Sequence, residues 1–173
     1  MKIIQKTIYK LLFVYSFTNT HGEKFWGNVG AGVLPIAKNT GRILVNHRSS
    51  GVNEPNTWGV WGGALKNQES PRQGARTEFE EETEYIGHID LIPSYIFKKE
   101  RGGIVVFEYH NFIGLVDGEF EPSLDWESQG YRWLTYSELL ELPNKHFGLQ
   151  ALLQHDGNKI KQFAERYETQ ISY

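Results

Sequence analysis

The stretch from Gly62 to Tyr85, which reads GGALKNQESPRQGARTEFEEETEY, constrains this chain more than any other part of it. Ser70 is a good N-cap, and Pro71 follows at the first helical position, where its missing amide proton costs nothing. Ala75, Phe79 and Glu82 then recur at helical spacing, so a helix over 70–84 is predicted. On that helix Glu78, Glu81 and Glu82 fall at i, i+3 and i+4 and share one face. Like charges so placed repel by several tenths of a kcal/mol per pair. A divalent cation is the simplest way to offset that repulsion, and an all-oxygen set suits a hard ion, Mg²⁺ or Mn²⁺. A glutamate run is more often a solvated helix face. This one is preceded by a Gly-Gly turn, by Glu69 and by the Ser-Pro cap, with a tryptophan-bearing strand before those.

The chain has 173 residues, which suits one domain with a single sizeable core. Its formal net charge is −3, from 18 basic and 21 acidic residues, without the basic excess that a nucleic-acid polymer asks of its partner. It contains no cysteine, which excludes disulfides, thiolate zinc sites and cysteine nucleophiles. That fits a reducing compartment, and a cytoplasmic location is expected. The amino-terminal run Leu11 to Phe17 has the faint look of a signal peptide, but it is short, and Lys6 and Lys10 interrupt the approach to it. An ordinary first strand or helix is the reading preferred here. No segment nears the roughly 20 apolar residues needed to cross a bilayer, so no membrane partner is expected.

Trp26 to Ala37 reads as a strand whose backbone is approached closely, because it carries Gly27, Gly30 and Gly32. Ile43 to Val45 begins a second strand, Ser49 to Asn56 is a loop, and Trp58 to Leu65 is a glycine-punctuated strand and turn. Ile89–Lys99 and Ile104–Val116 form a predicted hairpin, joined through Gly102-Gly103. Tyr131–Leu134 is a short strand, Ser137 is expected to cap a helix through Leu142, and one or two amphipathic helices follow from Phe147. Strands alternating irregularly with a few helices indicate an α/β (α+β) fold with a mixed sheet.

The segment from Gly63 to Tyr85 resembles the signature of the Nudix hydrolase family, G-x5-E-x7-R-E-U-x-E-E-x-G-U, where U is a bulky apolar residue. Gly63, Glu69, Glu78, Phe79, Glu81, Glu82 and Tyr85 occupy its places across 23 positions with no insertion or deletion. Two positions depart: Thr77 stands where the family has Arg, and Glu84 where it has Gly. Arg76 is one residue away but points about 100° off on a helix. Glu84 leads to the expectation that the helix runs on toward Gly87. A looser likeness extends over about residues 25 to 155.

The resemblance implies an α/β/α sandwich with a mixed sheet. A domain is expected over residues 25–160, preceded by a strand or extension over 1–24 and followed by a helix end or tail over 161–173. It implies a Mg²⁺-dependent hydrolase (Mn²⁺ a possible substitute) that cleaves a phosphoanhydride bond in a nucleoside diphosphate linked to another moiety. Glu78, Glu81 and Glu82 would hold metal, with the carbonyl of Gly62 as an extra ligand. Glu78 or Glu127 would accept the proton from water, and Glu69 would orient the loop. Arg48 could pair with a phosphate, or be a solvated surface arginine. Trp58, with Trp26 and Trp61, could stack on a base, core packing being the more frequent role for such residues. The expected partner is a small nucleotide derivative, and a homodimer is left open. The alternative reading is a catalytically weak or inactive nucleotide-binding sensor on the same fold, which Thr77 and Glu84 favour and the intact glutamates oppose. No residue downstream of the signature names the substrate; Pro93 falls too early for the proline typical of ADP-ribose hydrolases.

Overall fold

In the computed structural model the described residues are 17–18, 24–25, 29–66 and 69–168. Two short strands, β1 (Phe17–Thr18) and β2 (Lys24–Phe25), pair antiparallel. Trp26, most of the amino-terminal apolar run and the last five residues lie outside the described set.

A mixed sheet of seven strands organises the rest. They are β3 (Val29–Ala37), β4 (Ile43–Arg48), β5 (Trp58–Gly59), β6 (Trp61–Ala64), β7 (Ile89–Arg101), β8 (Ile104–Val116) and β9 (Ser128–Leu134). β3 lies at the centre, parallel to β8 along its whole length and antiparallel to its other neighbours. Its residues are buried almost without break, as a strand covered on both faces must be.

The second edge of β3 is shared. β4 meets it at Ile36, while β6 takes Gly30 to Val33. Pro35 falls between those segments, where neither neighbour on that edge calls for its missing amide. Beyond Ile43, β4 departs from β3 and pairs with β5 on one side and β9 on the other. The sheet therefore branches where β5 passes into β6, and Gly62 and Gly63 lie just past the branch.

Two cores fill the two faces. On one, Ala31, Val33, Trp61, Phe112 and Trp133 pack against Ala75 and Phe79 of helix α1 (Pro71–Thr83). On the other, Leu34, Ile36, Ile113 and Leu115 pack against helices α2 (Tyr136–Glu141) and α3 (Phe147–Glu168). This is an α/β/α sandwich with a mixed sheet, as the sequence predicts. Ile160 and Ala164 are buried, so α3 continues as a core element past residue 160.

Two local expectations are corrected. Helix α1 ends at Thr83 and does not run on toward Gly87, because Glu84 itself takes the left-handed cap conformation (φ 55°, ψ 25°) and donates its amide to the Glu80 carbonyl. Ser137 does not cap α2; Thr135 does, in a capping box with Glu138. The helical segment after Phe147 is kinked at Asp156, whose φ of −124° leaves the helical region. There Asp156 Oδ2 accepts a 2.6 Å bond from the Ser94 hydroxyl. The β7–β8 hairpin turns on Gly102 and Gly103, both at positive φ as a tight two-residue turn requires. Among the described residues no helix is long and apolar enough to cross a membrane.

Candidate active site

Helix α1 begins where Ser70 accepts the Gln73 amide and Pro71 fills the first turn. Its buried face carries Gly74, Ala75, Glu78, Phe79, Glu82 and Thr83. Two glutamates thus point inward together with the apolar residues, Glu78 at 8% and Glu82 at 2% exposure. Burying a carboxylate without partners is costly, so each must be met by donors or a cation.

For Glu82 the structure shows a donor: the Gly62 amide bonds to its Oε2 at 2.9 Å. Gly62 has φ 155°, and a Cβ there would collide with the Ala31 carbonyl. Glu78 lies against the next residue: a Cβ on Gly63 would stand 2.7 Å from Glu78 Oε2. The paired glycines therefore make room for two carboxylates to press against the β6 backbone. Glu81 is half-buried, and its Oε1 receives Lys66 Nζ at 3.0 Å; the same ammonium stands 3.9 Å from Glu78 Oε1. Glu69 accepts the Lys66 amide and so shapes the turn between β6 and α1. Arg76 is turned away, toward the Ile89 carbonyl and Glu80.

Tyr109 of β8 is a member of this neighbourhood that sequence reading passed over. A Cβ on Gly30 would meet its ring at 2.7 Å, and one on Gly62 would meet its hydroxyl at 2.6 Å, while one on Gly32 would collide with that hydroxyl. Three glycines thus clear the space in which one tyrosine lies. Burial raises the phenol well above its usual range; Glu82 and Glu78 add to that, and Arg48 opposes it. The hydroxyl stays protonated at any ordinary pH.

The remaining predicted residues divide. Arg48 ends β4 and gives Nε and Nη2 to the Asn53 carbonyl, at 3.1 and 2.7 Å, bracing the 49–56 loop. Glu127 is partly buried just before β9, its carbonyl accepting the Ser49 amide and its own amide bonded to Asp125. Trp58 packs against the core beneath α2 and α3, on the side of the sheet away from α1. His47 stacks on it at 4.2 Å, and the Arg132 guanidinium lies 4.9 Å from its ring centre. Trp61 is fully enclosed in the core under α1. Asn46 Oδ1, Trp61 Nε1 and Ser128 Oγ are buried without a protein partner, groups that a ligand or water would satisfy.

The sequence model of the NUDIX domain matches residues 27–155. The chain belongs to the Nudix family. It is 27% identical over 139 residues to the "Putative 8-oxo-dGTP diphosphatase 3" of Mycobacterium tuberculosis, a match covering 77% of this chain and 64% of that protein. It is 36% identical over 81 residues to a "Nucleoside triphosphate pyrophosphatase/Nudix hydrolase fusion protein" of Bifidobacterium longum, covering 43% of this chain and 17% of that one. The chain therefore spans less than two thirds of the length of either relative. The crystal structure of a Nudix hydrolase from M. smegmatis, RenU, superposes with a TM-score of 0.66 at 23% identity, over 79% of this chain and 88% of that one. At that identity the likeness is one of fold.

The residues present fit the divalent cation that Nudix enzymes use in donor type: carboxylate oxygens, two of them buried against a glycine turn, suit a hard ion. Among the described residues no three acidic, histidine or cysteine side chains converge closely enough to hold an ion as they stand. The Lys66 ammonium, which bridges Glu78 and Glu81, is drawn to the same oxygens.

Proposed function

We propose that this chain is a metal-dependent pyrophosphohydrolase that cleaves a phosphoanhydride bond in a small nucleoside di- or triphosphate derivative. The observation that carries this reading is the pairing of buried Glu78 and Glu82 with the Gly62-Gly63 turn. A protein that merely folded this way would gain nothing from two enclosed carboxylates on a glutamate-rich helix. Of the relatives, the one named for 8-oxo-dGTP supports a nucleoside triphosphate as the first compound to try.

Glu78, Glu81 and Glu82 would hold Mg²⁺, with the Gly62 carbonyl as an additional ligand. Bound there, the ion would neutralise pyrophosphate charge and lower the pKa of a coordinated water. Gly62 fixes Glu82 through its amide, which holds that carboxylate beside the glycine turn. A carboxylate, Glu78 or Glu127, takes the proton as water attacks phosphorus. Tyr109 offers a neutral O–H beside the carboxylates, and Arg48 a fixed positive charge, for the phosphate chain. Trp58, stacked on His47 on the other side of the sheet, supports a binding role less well than its place in the sequence does.

The test is phosphate release from nucleoside triphosphates (8-oxo-dGTP among them), ADP-ribose, NADH, sugar nucleotides and dinucleoside polyphosphates, each with Mg²⁺, Mn²⁺ or chelator. Chelator-sensitive turnover of one compound is the expected result. Silence on all of them, with nucleotides still raising the melting temperature, would replace the enzyme by a nucleotide sensor.

A further inference from the structure

Thr77 cannot supply the positive charge that the family signature places beside its glutamates, and Arg76 spends its guanidinium on Ile89 and Glu80. The cation found on the glutamates comes from elsewhere, from Lys66 in the turn between β6 and α1. Its ammonium is 3.0 Å from Glu81 Oε1 and 3.9 Å from Glu78 Oε1. The turn that presents it is closed by Glu69, which holds the Lys66 backbone amide at 3.2 Å. Lys66 is therefore aimed at the glutamates by the local fold, although its side chain is 47% exposed and has room to leave.

We propose that Lys66 is an internal competitor of the divalent cation: its ammonium and the metal claim the same oxygens of Glu78 and Glu81, and Lys66 thereby sets how tightly the chain holds its ion. The inference rests on the reading of these glutamates as metal ligands. A monovalent ammonium relieves the repulsion between the two carboxylates in the way a divalent ion would. Loading the site requires that pair to open, and its loss is charged against metal affinity. The long, flexible stem of a lysine suits such an exchange, since the freed head can return to water or turn to an arriving phosphate.

The experiment is direct Mn²⁺ binding to the intact chain, by calorimetry or by the free-ion EPR signal, with no substrate and no turnover. Lys66→Met is expected to bind Mn²⁺ about fivefold more tightly than the unaltered protein, the scale on which an exposed ion pair acts. Lys66→Arg keeps the charge and is expected to stay within about twofold of the unaltered protein on that same scale. Arg76→Met removes an equal charge, from helix α1 itself, without touching Glu78 or Glu81, and little change is expected. Circular dichroism and melting in chelator establish that each variant is folded. Unchanged or weaker binding by Lys66→Met would overturn the proposal. So would equal tightening by Arg76→Met, which would reduce the effect to net charge. Absence of Mn²⁺ binding in every form, the unaltered protein included, would instead remove the metal reading itself and this inference with it.

Discussion

The amide of Gly62 and the carboxylate of Glu82, 20 residues apart in sequence, are joined by a 2.9 Å hydrogen bond that ties the sheet at its branch to helix α1. Only one carboxylate oxygen is needed for that bond. Glu82 thus has a structural role through Oε2 that is separable from the charge its proposed metal role needs.

Glu82→Gln separates the two roles. An amide oxygen can still accept from Gly62, so the fold should survive, while the charge is lost. Relief of repulsion from Glu78 and Glu81 is expected to offset part of the loss of the charge-assisted bond. Turnover should fall by more than about a hundredfold, beyond what loss of a supporting partner costs. Melting curves and initial rates on the substrate found by the panel check both halves. Undiminished turnover would show that this helix face is not the catalytic one.

The neighbouring glycines should respond unequally. Gly62→Ala puts a methyl group into the Ala31 carbonyl and the Gly32 Cα, at a φ of 155° that side chains rarely adopt, and that stretch of β3 backbone cannot yield. Little folded protein is expected. In Gly63→Ala the methyl meets Glu78 Oε2 at 2.7 Å, the mobile end of a side chain. That variant should fold with nearly unaltered stability yet bind Mn²⁺ more weakly, because Glu78 is pushed aside. A Gly63→Ala protein with unaltered Mn²⁺ affinity would show that Glu78 does not need the space the glycine leaves.

His146 supplies a pH dependence. Burial, aided by the charge of Arg48, lowers its pKa from 6.5 to about 4, even though Glu54 Oε2 stands 3.6 Å from Nε2. Between those values the unfolded chain binds the proton and the folded chain does not. Stability contributed by the neutral ring is therefore present above pH 6.5 and is lost as pH falls toward 4, by roughly 3 kcal/mol at most. Denaturant melts at pH 7 and 4.5 should show this loss. His146→Gln should be less stable at pH 7, and its stability should fall less between the two. An equal fall in both proteins would place the acid sensitivity elsewhere.

How far the sequence carried depended on how local the interaction was. The helix over 70–83, its Ser-Pro cap and the hairpin turn at Gly102-Gly103 rest on contacts within a few residues, and they were legible. So was the face shared by Glu78 and Glu82. The branch in the sheet was not, because it depends on β4 changing partners from β3 to β5, a choice between strands far apart in the chain. Tyr109 was missed for the same reason: its place is set by Gly30, Gly32 and Gly62 on two other strands. A strand with glycines at alternate positions does signal that something large lies across it, and that clue was present at Gly30 and Gly32. Lys66 was hidden by its ordinary look in a loop. Which face of the sheet Trp58 takes was not legible either, because sequence does not reveal toward which helices a short strand turns a given side chain.

Glu84 is the clearest case of a local departure from the family signature that the fold has absorbed at a cost. The signature's glycine place falls on the residue that terminates α1, and Glu84 adopts the left-handed conformation there, φ 55°, while its amide still closes on the Glu80 carbonyl. A side chain in that conformation costs about 1–2 kcal/mol, of which glycine's greater freedom in the unfolded chain would take back roughly half. Glu84→Gly is therefore expected to stabilise the protein by about 0.5–1 kcal/mol, raising the melting temperature by a few degrees. Glu84→Ala relieves no strain and loses only a solvated charge, so it should leave the midpoint nearly where it was. Since the cap lies one residue beyond Thr83 and carries none of the inward-facing carboxylates, Mn²⁺ affinity should be the same in all three proteins. Calorimetric midpoints for the three would settle it: a glycine variant no more stable than the alanine one would mean that the left-handed cap carries no strain.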